Sequence, residues 1–178
     1  LDKKVEMRVE GSLWGIGCNS IHFIDYFSYL TGCNNFQFTD CNLNNEIITS
    51  KRAGFIEFSG KLEGKNPQGH SLSLICHDTG TDPIKINIKN GSKTHEIIDC
   101  VDHDIYRVSD GNIKTEKNVS IPFQSQATNK LVHQIRNFGD CDLTTYHESM
   151  NLHLPLIRTL IEHTQNLSGT SEELCQIT

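Results

Sequence analysis

The segment WGIGCNSIHFIDYFSYLTG, Trp14 to Gly32, holds the side chains best suited to proton transfer, His22 and Asp25. An imidazole with an ordinary pKa of about 6.5 can accept and return a proton near neutral pH. Asp25 lies on a neighbouring helix face one turn later, from which it could orient or charge-stabilise the ring. Cys18 falls in the first turn of the same helix, where the macrodipole favours a thiolate, although most cysteines simply pack. Asn19 could donate a hydrogen bond to a substrate or serve as the helix N-cap. Trp14 could wall a ligand site by stacking or pack beneath the start of the helix. His95 is expected on the apolar face of a strand, where a polar ring needs a partner, and could line the site or a domain interface.

The same segment admits a different chemistry. A strand at residues 4–10 leads into Gly15-Ile16-Gly17-Cys18-Asn19-Ser20, a GxGxxS. A helix follows, then a strand ending at Asp40, an acid at roughly the ~20-residue distance of a ribose-gripping carboxylate in a dinucleotide fold. Three features oppose that reading. Val5, Met7 and Val9 alternate with charged residues, whereas a central parallel strand is apolar on both faces. The third glycine, which lets helix and strand pack closely, is Ser20. Hairpins, not strand-helix-strand crossovers, come next.

Metal chemistry is not expected. Asp102-His103-Asp104 reads as a solvated turn, and His147 and His153 do not face together on one helix. The seven cysteines (18, 33, 41, 76, 100, 141 and 175) are dispersed, with no paired spacing, and read as reduced thiols.

These side chains need a scaffold. Apolar residues at helical spacing predict a helix over 18–31, closed by Gly32, and Asn35–Thr39 reads as a short strand. From residue 53 to 116 apolar and polar residues alternate. Ile56, Phe58 and Leu62 form one such set, Leu72, Leu74 and Cys76 another, and Ile84, Ile86 and Ile88 a third. Asn90-Gly91 and Asp110-Gly111 are hairpin signals. As two-residue loops they place Lys85 opposite Glu96, Ile84 opposite Ile97, Ile86 opposite His95 and Val108 opposite Ile113. The expected product is an antiparallel sheet of four to seven strands, polar on one face and apolar on the other. Ala127, Leu131, Ile135 and Phe138 then mark a helix ending at Gly139. Thr145-x-x-Glu148 has capping-box spacing and opens a last helix that runs to about Leu167 and contains Pro155.

The fold class expected is α+β, an open, predominantly antiparallel sheet with flanking helices and no Rossmann domain. Residues 1–169 read as one domain and 170–178 as a frayed tail. At 178 residues the chain can bury a core of its own. A net charge of −6 without a Lys/Arg cluster argues against a nucleic-acid surface. No apolar run is long enough to cross a bilayer, and no export signal is visible, so a cytoplasmic location is expected.

Residues 14–32, with His22-x-x-Asp25 and the ending Leu30-Thr31-Gly32, resemble the start of the C-terminal domain of the glucose-fructose oxidoreductase/inositol dehydrogenase (Gfo/Idh/MocA) family. The amphipathic sheet and the final helix, His153–Gly169, follow in the family's order. The resemblance implies an open-sheet domain that holds a sugar-like substrate and often forms the oligomer interface. An N-terminal Rossmann domain, bearing NAD or NADP and usually a lysine from a Glu-Lys-Pro motif, would belong to the parent chain. By position His22 matches the family's acid/base histidine. Trp14, Cys18, Asn19, Asp25 and His95 are its candidate supporting residues. The family's first Asp is Cys18 here. The resemblance thus implies the substrate domain of an NAD(P)-dependent dehydrogenase acting on a sugar, nucleotide-sugar or cyclitol hydroxyl, inactive without its cofactor domain. The alternative is a binding or assembly domain of the same fold without the chemistry.

Overall fold

The computed structural model describes residues 3–100, 103–120, 122, 124–169, 171 and 174–177. Val101 and Asp102 lie outside them; of the solvated turn expected at Asp102-His103-Asp104, His103 is exposed, but Asp104 is buried and belongs to a strand.

Strand β1 (Val5–Ser12) enters the middle of an eight-stranded sheet, and helix α1 (Ile16–Thr31) follows it. β2 (Gln37–Leu43) forms one edge of that sheet. A separate two-stranded hairpin, β3 (Ile48–Thr49) and β4 (Ile56–Glu57), comes next. β5 (Gly60–Lys65), β6 (Ser71–His77), β7 (Lys85–Asn90), β8 (Lys93–Ile98), β9 (Asp104–Asp110) and β10 (Ile113–Val119) complete the large sheet in the order β10-β9-β8-β7-β1-β6-β5-β2. Helices α2 (Gln124–Phe138) and α3 (Tyr146–Ser168) close the chain.

Every neighbouring pair in the large sheet is antiparallel except β1 and β6, which run parallel. β1 is therefore central, yet its alternation is real: Val5, Met7 and Val9 are buried while Lys4, Glu6 and Arg8 are exposed. Among the described residues helices cover only one face of the sheet, over β1, β2 and β6. On it Met7 lies between Leu72 and Ile88, and Val9 between Leu74 and Ile86. α1 lays Ile16, Ser20, Ile24, Phe27 and Thr31 against this face. Each such aliphatic side chain, fully removed from water, contributes about 1.5–3 kcal/mol. α3 packs on α1 and β2, burying Leu152, Leu156 and Leu160.

The C-termini of α1 and α3 and the N-terminus of α3 follow local rules. Gly32 and Gly169 take left-handed conformations after their helices. The Thr145 hydroxyl accepts from the Glu148 N–H, and the Glu148 carboxylate accepts from the Thr145 N–H, a complete capping box. α2 forms over the expected residues but packs on no other element among the described residues, leaving Ile135 and Phe138 exposed.

The structure corrects several expectations. The large sheet has eight strands, not four to seven. Both hairpin registers are displaced: Ile86 faces Ile97, Ile88 faces His95, and Asp110 faces Ile113. Only Gly91 and Gly111 take positive φ in these turns, 62° and 58°, so the loops are Gly91–Ser92 and Gly111–Asn112. A single strand through Ile56, Phe58 and Leu62 does not form either. Gly60, at φ 113°, breaks it into β4 and β5, and Glu57 turns from the expected wet face into the interior. Residues 174–177, read as part of a frayed tail, lie beside β4, where the Ile56 N–H donates to the Gln176 carbonyl at 2.8 Å. Cys175 and Ile177 pack against the core.

Candidate functional site

The site is built where β1 hands over to α1. The Ser12 N–H donates to the Asp82 carbonyl and the Leu13 N–H to the His77 carbonyl, fixing the end of the strand. Leu13 (φ 52°) and Gly15 (φ 74°) then turn the chain into the helix. Trp14 is buried, its indole N–H donates to the Ile75 carbonyl at 2.7 Å, and its ring meets Phe23 edge-on at 5.4 Å. The Asn19 amide donates back to the Trp14 carbonyl. Asn19 is thus a brace inside the first turn and not the N-cap, a position held by Gly15 without any side-chain cap.

The cap comes from elsewhere. One oxygen of the buried Glu57 carboxylate accepts from the Gly17 N–H at 2.7 Å, and the other from the Cys18 N–H at 3.1 Å. The unsatisfied donors and positive end of the helix macrodipole suit an anion at this place. The two glycines serve the same contact. A Cβ on Gly17 would stand 2.9 Å from a Glu57 oxygen, and one on Gly15 3.2 Å from the other. The GxG turn therefore cradles an internal carboxylate. That carboxylate takes the place a pyrophosphate would take in a dinucleotide-binding turn.

Beside this turn opens a cavity of about 390 Å³. Trp14, Cys18, Asn19, Ile48, Phe58 and Cys76 line its wall, with Glu57 in the floor and the loop Ser50–Arg52 at the rim. Burial pushes the Cys76 thiol up from its ordinary pKa, although N–H groups of the Leu13–Gly15 turn partly oppose the shift. Cys18 is half-buried, and its thiol faces the Gly15 carbonyl at 3.8 Å.

His22 stands four residues after Cys18, on the same helical face one turn further along, and is exposed. Asp25 accepts a hydrogen bond from the Thr144 hydroxyl at 2.8 Å, in the connection between α2 and α3. The carboxylate thus meets a hydroxyl there. His95 is half-buried on β8, with Nδ1 2.8 Å from the Tyr106 hydroxyl and the two rings stacked at 6.1 Å. Trp14, Cys18 and Asn19 are brought together at the cavity; His22, Asp25 and His95 are not among its lining residues. No local pattern in the sequence singles out Glu57, Lys51 or Arg52. Glu57 sat in an alternating pattern that assigned it to solvent, and its partners lie some 40 residues away.

Among the described residues no group of three or more His, Cys, Asp or Glu side chains could hold a metal ion, and no helix is long and apolar enough to cross a membrane.

An open, mostly antiparallel sheet with helices on one face is the α+β fold class expected from the sequence. Solved structures agree. UDP-N-acetylglucosamine 3-dehydrogenase GnnA from Acidithiobacillus ferrooxidans superposes with a TM-score of 0.61 at 8% identity, over 88% of this chain and 51% of that one. KijD10, a 3-ketoreductase from Actinomadura kijaniata solved with NADP, gives 0.56 at 8% identity over 86% and 49%. A candidate oxidoreductase from Erwinia carotovora atroseptica gives 0.63 at 13% over 88% and 55%. This chain spans about half the length of each. At these identities the likeness is one of fold. No family model and no curated protein matches the sequence.

Proposed function

We propose that this chain is the substrate-binding domain of an NAD(P)-dependent oxidoreductase acting on a sugar, nucleotide-sugar or cyclitol hydroxyl, with His22 as its acid/base. The observation that carries the reading is the placement of His22 one turn beyond Cys18, on the helix whose first turn walls the cavity. Hydride acceptance falls to a nicotinamide held by a domain outside this chain. The work of this chain is to seat the substrate against Trp14 and to let the His22 imidazole take the hydroxyl proton. His22 is exposed, as a residue that meets substrate at a domain boundary must be before that boundary closes. Assembly into a homo-oligomer through the open face of the sheet belongs to the same reading, and a strict monomer by light scattering would remove that part alone.

The test is hydride transfer by the complete polypeptide, with His22→Asn against wild type over a panel of sugars, nucleotide sugars and cyclitols. Loss of a general acid/base lowers turnover by about 10²–10⁴-fold. Turnover unchanged in the variant would discard the assignment of His22. A second reading, a binding or assembly domain that keeps the fold without the chemistry, draws on Cys18 in place of the family's Asp and on Asp25 being engaged by Thr144. A complete protein that binds cofactor yet turns over none of the panel would favour it.

A further inference from the structure

We infer that the cavity beside α1 takes a ligand carrying an anionic group, a carboxylate or a phosphate, which Lys51 and Arg52 grip at the rim. That the rest of the ligand is a sugar rests on the function proposed above; the anion does not.

Three observations converge. First, Lys51 and Arg52 are adjacent cations on one wall of the cavity, and neither makes an ion pair within the described residues. Second, the loop that carries them is held in place. The Ser50 N–H donates to the Phe55 carbonyl at 3.0 Å, the Phe55 N–H to the Arg52 carbonyl at 3.2 Å, and the Arg52 N–H to the Ser50 hydroxyl at 3.4 Å. These bonds fix the tip of the β3–β4 hairpin, so the two side chains start from a defined backbone. Third, the carboxylate that lines the same cavity, Glu57, is already committed. Both oxygens of Glu57 are taken by the Gly17 and Cys18 N–H groups, so the carboxylate is offset by the helix terminus and not by the cations.

The remaining surface sets the shape of the occupant. Trp14, Ile48 and Phe58 make an apolar wall, and about 390 Å³ lies at the lower end of the range for small-molecule sites. A compact ring fits, with one face on the apolar wall and an anionic substituent toward the rim. A guanidinium can meet two oxygens of such a group at once, while the ammonium adds a point charge.

The experiment is calorimetric titration of the protein at low salt with three probes: glucuronate, glucose 1-phosphate and methyl glucoside. At least one anion should bind about tenfold or more tightly than the neutral glucoside, the scale of one charge-assisted hydrogen bond. Whichever anion binds more tightly identifies carboxylate or phosphate as the group read. Lys51→Gln combined with Arg52→Gln should abolish that preference without moving the unfolding midpoint, because both side chains are exposed. Lys51→Arg combined with Arg52→Lys should keep an anion preference, because both charges remain, but weaken it where the two-oxygen grip of the Arg52 guanidinium is lost. The inference is overturned if neither anion binds, if the neutral glucoside binds as well, if the double Gln variant keeps the preference, or if the charge-preserving variant loses it. A failure here leaves hydride transfer by the complete enzyme untouched. An anion preference without any turnover would instead sink the proposed function and leave this site standing.

Discussion

Replacing Glu57 tests the central contact of the fold and site together. In Glu57→Ala the Gly17 and Cys18 N–H groups lose their acceptors, which now lie at 2.7 and 3.1 Å. Gly17 is buried, so its donor is stranded, at a cost of about 1–3 kcal/mol. The Cys18 N–H adjoins the open cavity and can be rehydrated, so its loss is the smaller. Loss of a charge at the helix N-terminus adds about 0.3–1 kcal/mol. The sum is about 3 kcal/mol, or roughly 6–12 °C in midpoint for a domain of this size. Glu57→Gln should fall between, because a carboxamide can accept from one N–H while its own NH2 confronts the other. Thermal unfolding followed by circular dichroism gives the midpoints, and amide exchange at Gly17 and Cys18 locates the damage. Gly17→Ala supplies the control: its Cβ meets the carboxylate at 2.9 Å in wild type, and a part of its cost should vanish when Glu57 is already Ala. The neighbouring Ile177 contact at 3.0 Å would remain. If Glu57→Ala lies within about 0.5 kcal/mol of wild type, the level of an ordinary surface change, the carboxylate does not hold this helix and the account of the GxG turn is wrong.

Gly64→Ala should destabilise the β2–β5 edge by about 1–3 kcal/mol, because the new Cβ would lie 2.8 Å from the Gln37 carbonyl and against the buried Phe36 ring. A midpoint equal to wild type would mean that Phe36 can shift freely. At the start of α3 the Thr145 hydroxyl and N–H, in that order, hold the Glu148 carboxyl below the usual carboxylate range. A depressed folded-state pKa contributes stability above the unfolded value of about 4.3, and that contribution is lost as pH falls through the folded value. Carbon-detected titration of Glu148 should therefore show a low midpoint that returns toward the ordinary range in Thr145→Ala; an unmoved midpoint would contradict the capping-box geometry.

What was legible in the sequence is what depends on neighbours along the chain. The alternation of Val5, Met7 and Val9, the helix closed at Gly32 and the Thr145-Glu148 box all follow from spacings of two to four residues, and all are present. The hairpins show where that locality ends. Asn-Gly and Asp-Gly name a turn, yet the register depends on which residues take positive φ. Here only the glycines do, and every pair beyond them is displaced. Because the displacement preserves the alternation, Ile86 and Ile88 keep their face while their partners change. The parallel pairing of β1 with β6 was hidden for another reason: a central strand with one uncovered face carries the same pattern as an edge strand.

Glu57 marks the deeper limit. Its neighbours Ile56 and Phe58 made it one polar member of an alternating run, and only the break at Gly60 turns it inward. The two glycines of the GxG were informative all along, since they specify a backbone that an anion must approach closely at the start of a helix. They do not specify whose anion. A phosphate and a carboxylate from another part of the same chain ask for the same missing Cβ atoms and the same free N–H groups. Only the identity of the group lying against Gly17 separates a cofactor cradle from a tertiary cap. Once Glu57 fills that place, the charge recognition left to the site passes outward to the side chains of the Ser50–Phe55 loop.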